Sequence, residues 1–170
     1  METALEHVLM NTYKKGMIQY VNSHAEAFDE AVKLAVSDKQ KYSWRAAWLL
    51  WSCMKKNDSR ISGYLTDIVQ ALQRVHDSQK RELLKILQMM EIDEAIEGKL
   101  FNICMDIWEQ IDKQPSVRIN AFRMMILIAM KHHGLMPEVL ELPQGQYLES
   151  LSPGAKRSVI KLKHSLLKLV

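Results

Sequence analysis

Serines recur along this chain at near-even intervals. Ser43, Ser78, Ser116 and Ser152 stand 35, 38 and 36 residues apart. Each opens a stretch of helical character: SWRAAWLLW, SQKRELLKIL, SVRINAFRMM and SPGAKRSVIKL. A period of roughly 34–40 residues with helix starts in phase predicts stacked helical hairpins. A lone hairpin cannot cover its own apolar face, so each one must be buried by its neighbours.

The boundaries follow from local chemistry. Nine helices are expected, over 2–22, 25–36, 40–55, 61–75, 78–91, 94–111, 117–132, 136–150 and 153–168. Ser23 with Glu26 reads as a capping box, Asp77 or Ser78 as a cap for the fifth helix, and Asp93 as the cap of the sixth. Ser116 reads as the cap of the seventh, and Ser152 followed by Pro153 as a cap with proline in the first turn. Gly134 and Pro137 end the seventh helix. No segment alternates with period two for long enough to compete as a strand.

The helices are of two alternating kinds. Tyr64, Ile68, Ala71, Leu72 and Val75 form one apolar stripe, with Thr66, Asp67, Gln70, Gln73 and Arg74 facing away. The 100–111 segment behaves likewise, with Leu100, Ile103, Cys104, Ile107, Trp108 and Ile111 on its apolar side. Both are half-buried outer helices. The helices at Ser43 and Ser116 are apolar nearly all round, so they must be covered on most sides. Cys53 and Cys104 read as small buried thiols. Met54, Met89, Met90, Met105, Met124, Met125 and Met130 read as gap-filling core.

The charge is mild, +3 overall, and unevenly placed. Lys156, Arg157, Lys161, Lys163 and Lys168 lie between Gly154 and Val170 with no acid among them. The longest apolar run is the seven residues Met124 to Met130, against the roughly 20 needed to span a bilayer. The N-terminal METALEHVLM carries acids where an export signal would need Lys or Arg. A cytoplasmic location and a single domain over 1–170 are therefore expected.

The inner helices resemble those of HEAT repeats, an armadillo-type helical repeat family. Val117, Arg118 and Ala121 match the family's VR-x-x-A pattern, and Trp44 with Arg45 matches its start. The second repeat has Lys80 where that arginine would stand. The stretches RAAW (45–48), HDSQKRELLKIL (76–87) and EIDEAIEGKL (91–100) also resemble an uncharacterised bacterial family of about this length. Some of its members carry an adenylosuccinate lyase label, but the Met-Pro-x-Lys-x-Asn signature of those lyases has no counterpart here. The resemblance implies an all-α fold. It is a right-handed α-α superhelix of about four stacked HEAT-like hairpins, with a long N-terminal helix as cap.

Two sets of cations are candidate contacts. Arg45, Lys80, Arg118 and Arg123 recur near the starts of inner helices, where HEAT-like stacks line their concave surface. They would meet a partner there or bridge repeats by pairing with acids such as Asp77 or Asp112. Arg157, Lys161, His164 and Lys168 form one stripe of the last helix, opposite Val159, Leu162, Leu166 and Leu169. That pattern suits a solvated terminal cap or an anionic partner, with nucleic acid favoured over membrane because the apolar side lacks Trp and Phe. Trp44, Trp48 and Trp51 share one helix face and read as packing between repeats.

No reaction is encoded in a motif. The six glycines are isolated, so no phosphate loop exists. His132 and His133 diverge by about 100° on a helix, and the other histidines stand alone, so neither metal nor cofactor is expected. The leading reading is a non-enzymatic scaffold for a protein partner. Nucleic-acid binding is the alternative, since HEAT-like repeats also form the fold of bacterial DNA alkylpurine glycosylases.

Overall fold

A computed structural model describes residues 1–168. Among them there are helices and no strand, and the chain divides between Ile92 and Asp93 into two compact units. Each unit is described by itself.

In the first unit, α1 (Ala4–Asn11) opens with a reciprocal cap. The Thr3 hydroxyl accepts the Glu6 N–H at 3.1 Å, and the Glu6 carboxylate accepts the Thr3 N–H at 2.9 Å. The expected single helix over 2–22 is instead α1 and α2 (Lys14–Ser23), broken at Thr12 and Tyr13. Neither Pro nor Gly causes the break. The Thr12 hydroxyl donates to the Val8 carbonyl at 2.6 Å and the Asn11 amide to the His7 carbonyl at 2.9 Å. These polar side chains compete for the backbone groups that a continuing helix would use.

Next come α3 (Ala25–Ala35), α4 (Gln40–Cys53), the short α5 (Ser59–Ser62), α6 (Leu65–Ala71) and α7 (Asp77–Gln88). Helix α4 lies against α1, α2, α3 and α7. Its buried side chains Ser43, Ala46 and Ala47 are small, so neighbouring backbones approach closely, while Leu49 and Leu50 fill the space further on. The expected helix over 61–75 is two pieces, because Gly63 and Tyr64 turn the chain between α5 and α6. Asp58 caps α5 and is itself buried.

The second unit holds α8 (Glu94–Glu109), α9 (Pro115–Lys131), a 3-10 turn (His133–Leu135), α10 (Met136–Glu141), α11 (Gly145–Glu149) and α12 (Pro153–Leu167). Helix α9 packs on α8, α10 and α12 and, with Arg123 and Met130 left exposed, buries side chains around most of its circumference, Val117, Phe122, Met125 and Ala129 among them. Full burial of each large one contributes about 1.5–3 kcal/mol. Asp93 and Ser152 cap α8 and α12 as expected.

Three other caps differ from the sequence reading. Ser23 donates backwards to the Gln19 and Tyr20 carbonyls, and His24 joins α2 to α3. His76 precedes α7 and Gln114 precedes α9, neither with a side-chain cap, so Ser116 lies inside its helix behind Pro115. Ile111 falls beyond the end of α8 and is exposed, as is Met130, while Met89, Met90 and Met105 are only half-buried. Leu162 is half-buried too, and Leu169 lies outside the described residues.

The serine period has a direct structural meaning. Ser43 donates to Gln79 at 3.1 Å, Arg45 to the Leu9 carbonyl at 2.8 Å, and Trp108 to the Leu142 carbonyl at 3.3 Å. Tyr64 likewise donates to Asp29. Each pair is 34 to 36 residues apart. Residues one period apart in sequence are therefore neighbours in space.

Candidate tryptophan face and basic helix

Helix α4 presents its three tryptophans along one side because Trp44, Trp48 and Trp51 are one or two turns apart. All three are half-buried rather than enclosed. Trp48 and Trp51 meet edge to face, centroids 6.5 Å apart. A cation stands over each ring. Arg45 lies 5.2 Å from Trp44, Lys14 of α2 lies 5.5 Å from Trp48, and Lys85 of α7 lies 4.6 Å from Trp51. Each such contact adds about 0.5–1 kcal/mol at a solvated site and restrains the ring it covers.

A buried carboxylate organises the α7 edge of this strip. The Glu82 side chain is 1% exposed. It accepts the Trp51 indole N–H, the Arg81 Nε–H at 2.6 Å and a Lys85 proton at 3.2 Å. One residue therefore fixes an indole and two cations. The helical wheel carries its signal: Glu82 falls on the buried stripe of Gln79, Leu83 and Ile86. An acid on an apolar stripe needs partners, because a lone buried charge is costly.

The seven predicted cations fare differently. Arg45 is half-buried; besides covering Trp44 it donates to the Leu9 carbonyl near the end of α1. Lys80 is half-buried on α7, and Arg123 is exposed on α9. Arg157, Lys161 and Lys168 are exposed on or just past α12. Arg118 departs from the expectation: it is 0% exposed. Its Nε–H donates to the Trp108 carbonyl at 2.9 Å, and its terminal nitrogens donate to the Ser150 hydroxyl at 2.9 Å and the Tyr147 carbonyl at 2.8 Å.

Trp108 and Tyr147 lie in the last turns of α8 and α11, where carbonyls lack intrahelical partners. The guanidinium joins two helix ends, and its cation lies 4.8 Å from the Trp108 ring. Burial holds its pKa below the usual arginine value. Its partners are carbonyls and a hydroxyl, where the sequence reading had named Asp112. A surface contact at Arg118 is thereby excluded, because no part of it reaches solvent.

A hollow of about 510 Å³ in the second unit is bordered by Glu94, Glu97, Phe101, Asn102, His132 and Glu138. Glu97 is already committed to Lys131 and, at 2.6 Å, to His132. Burial pushes its carboxyl up, and the two bonds outweigh that and hold it below the usual range. Burial pushes the Cys104 thiol up, and Cys53 likewise, so neither is poised as a nucleophile. Among the described residues no group of three or more His, Cys, Asp or Glu is placed to hold a metal, and no helix is long and apolar enough to cross a membrane.

Comparison with curated proteins and with solved structures finds no match to this chain. Repeat period, buried inner helices and paired hairpins have all pointed one way, and the sequence matches the HEAT repeat domain over residues 1–168: the chain belongs to that family.

Proposed function

We propose that this HEAT repeat domain is a non-enzymatic interaction scaffold that holds a protein partner on the tryptophan strip of α4. The observation that carries the reading is the three half-buried indoles, each under a cation. Tryptophan and arginine dominate the energetics of protein interfaces. Here the Glu82 network and the cations restrain the rings before any partner arrives, which lowers the ordering cost of binding. Arg45, over Trp44, is a polar contact of the strip, and half-buried Lys80 of α7 is a second candidate contact. Arg123 is the exposed counterpart on the second unit. The partner segment would carry apolar side chains for the indoles and carboxylates for the cations.

The same pairing of π-faces with positive charge supports a second reading, a nucleic acid. Bases stack on aromatic rings and phosphates attract lysine and arginine.

The experiment places a photo-crosslinking side chain at Lys14, beside Trp48, and at exposed Gln70 on α6 as control. Extract of the native cell is expected to yield one specific protein adduct at Lys14 and none at Gln70. Trp48→Ala should weaken its binding by about 30-fold, the loss of one interface hot spot. A parallel titration with duplex and single-stranded DNA across a salt series decides the second reading. Affinity that falls steeply with salt and is lost in Trp48→Ala would replace the protein partner with nucleic acid. An adduct that survives Trp48→Ala, with no DNA binding at low salt, would overturn both.

A further inference from the structure

The outward side of α12 carries a pattern of its own. Arg157, Ile160, His164 and Leu167 follow three-four-three spacing, the a, d, a, d positions of a heptad. Lys161 and Lys168 then occupy both e positions, and Lys156 and Lys163 both g positions. The helix buries its opposite side, where Ala155, Val159 and Leu166 lie at c and f. Ile160 and Leu167 remain 40% and 47% exposed, on the same side as Arg157, Lys161 and Lys168. Together with His164 these side chains form one continuous outward face of the helix. Helix α12 has no Asp or Glu, and Glu149 holds Lys156 at 2.9 Å.

We propose that this face is a docking seam for an acidic amphipathic helix of a partner protein. The inference rests on the scaffold reading but concerns a different surface. In two-helix packing the e and g side chains flank the apolar seam and select the partner by charge. With lysine at all four flanking positions, the seam matches a helix that carries Glu at its own e and g positions. A second copy of the same face is disfavoured, because four lysines would meet four lysines.

Charge alone would also admit lipid or nucleic acid, and the side chains argue against each. The main apolar stripe of α12 is already covered by α9 and α10, leaving two aliphatic side chains to enter a bilayer. To a base this face offers the single His164 ring, with no Trp, Tyr, Phe or amide side chain beside it. Two aliphatic knobs one heptad apart are what a facing helix can seat.

The test uses the full chain and a labelled 21-residue synthetic helix, with Leu at a and d and Glu at e and g, read by fluorescence anisotropy. The matched peptide with Lys at e and g is the control. The Glu peptide is expected to bind and the Lys peptide to fail. Lys161→Glu with Lys168→Glu should weaken the Glu peptide at least about tenfold and admit the Lys peptide. Ile160→Ser with Leu167→Ser should weaken the Glu peptide similarly. Equal binding of both peptides, or no binding of the Glu peptide, overturns the seam.

Phosphatidylserine vesicles and duplex DNA are titrated alongside. If either binds and is lost on the lysine reversals while the Glu peptide stays unbound, that ligand takes the peptide's place. Trp48→Ala should leave peptide binding unchanged. If it abolishes binding instead, the peptide sits on the α4 strip, so the seam falls while the scaffold reading stands.

Discussion

Replacing Arg118 with methionine is a sharp test of the packing logic in the second unit. The methionine stem keeps much of the buried volume against Trp108 and removes the guanidinium alone. Three bonds go, to the carbonyls of Trp108 and Tyr147 and to the Ser150 hydroxyl. The hydroxyl keeps an alternative, since it also donates to the Tyr147 carbonyl at 3.3 Å. The Tyr147 carbonyl thus keeps the Ser150 hydroxyl, and the orphaned Trp108 carbonyl costs about 1–3 kcal/mol; the lost cation–ring contact adds about 1 kcal/mol. The expected loss is about 3 kcal/mol, a fall in Tm of about 9 °C for a chain of this size. Arg118→Lys should recover only part of it, because one ammonium cannot reach acceptors on two helix ends. Arg123→Met, on the same helix but exposed, should change stability by less than about 0.5 kcal/mol. Thermal and urea unfolding of the three variants decide the matter. A loss under about 1 kcal/mol for Arg118→Met would mean that the Trp108 carbonyl is satisfied without the arginine, and the bridging role would be refuted.

Two further outcomes concern buried carboxylates of the first unit. The bond from Arg60 holds the Asp58 carboxyl down at about 2. Its folded value lies below its unfolded value, so its stabilisation is complete above about pH 4 and is lost as the pH falls towards 2. Asp58→Asn should keep a cap acceptor and flatten that acid limb in unfolding curves; parallel acid limbs for variant and wild type would contradict this. Glu82→Ala leaves Trp51 without its acceptor and two cations without their counter-charge. Arg81 and Lys85 are 30% and 31% exposed, so water screens them and the cost falls to about 1–3 kcal/mol, below the loss for a fully buried pair. The Trp51 fluorescence should shift as well, and an unchanged Tm and spectrum would show that Glu82 organises nothing.

What could be read in advance was whatever depends on periodicity and local chemistry. The buried character of α4 and α9 follows from apolar side chains on every side, and the caps at Asp93 and Ser152 need only the next three residues. Arg118 and Arg123 look alike in sequence, both cations on one inner helix. Their fates separate because the backbone carbonyls that Arg118 reaches lie 10 and 29 residues away, which no local pattern reports. How far the tryptophans are covered is hidden from the sequence for a related reason. An apolar helix must be covered, but how completely depends on which neighbours arrive, and α1, α2, α3 and α7 leave the indole row half-open. Glu82 was legible in principle and hidden by its charged neighbours Lys80, Arg81 and Lys85.

The bonds between residues one period apart also bear on how the chain reaches this state. Ser43–Gln79 and Arg45–Leu9 each close a loop of 36 residues. Loop-closure entropy grows only logarithmically with length, and each such loop is spanned by helices whose helix–coil relaxation takes about a microsecond or less. Within each unit one hairpin can therefore template the next, by a zippering in which the chain searches one repeat at a time. The same property makes the architecture extensible: a duplicated stretch of about 36 residues would find its partners waiting one period away.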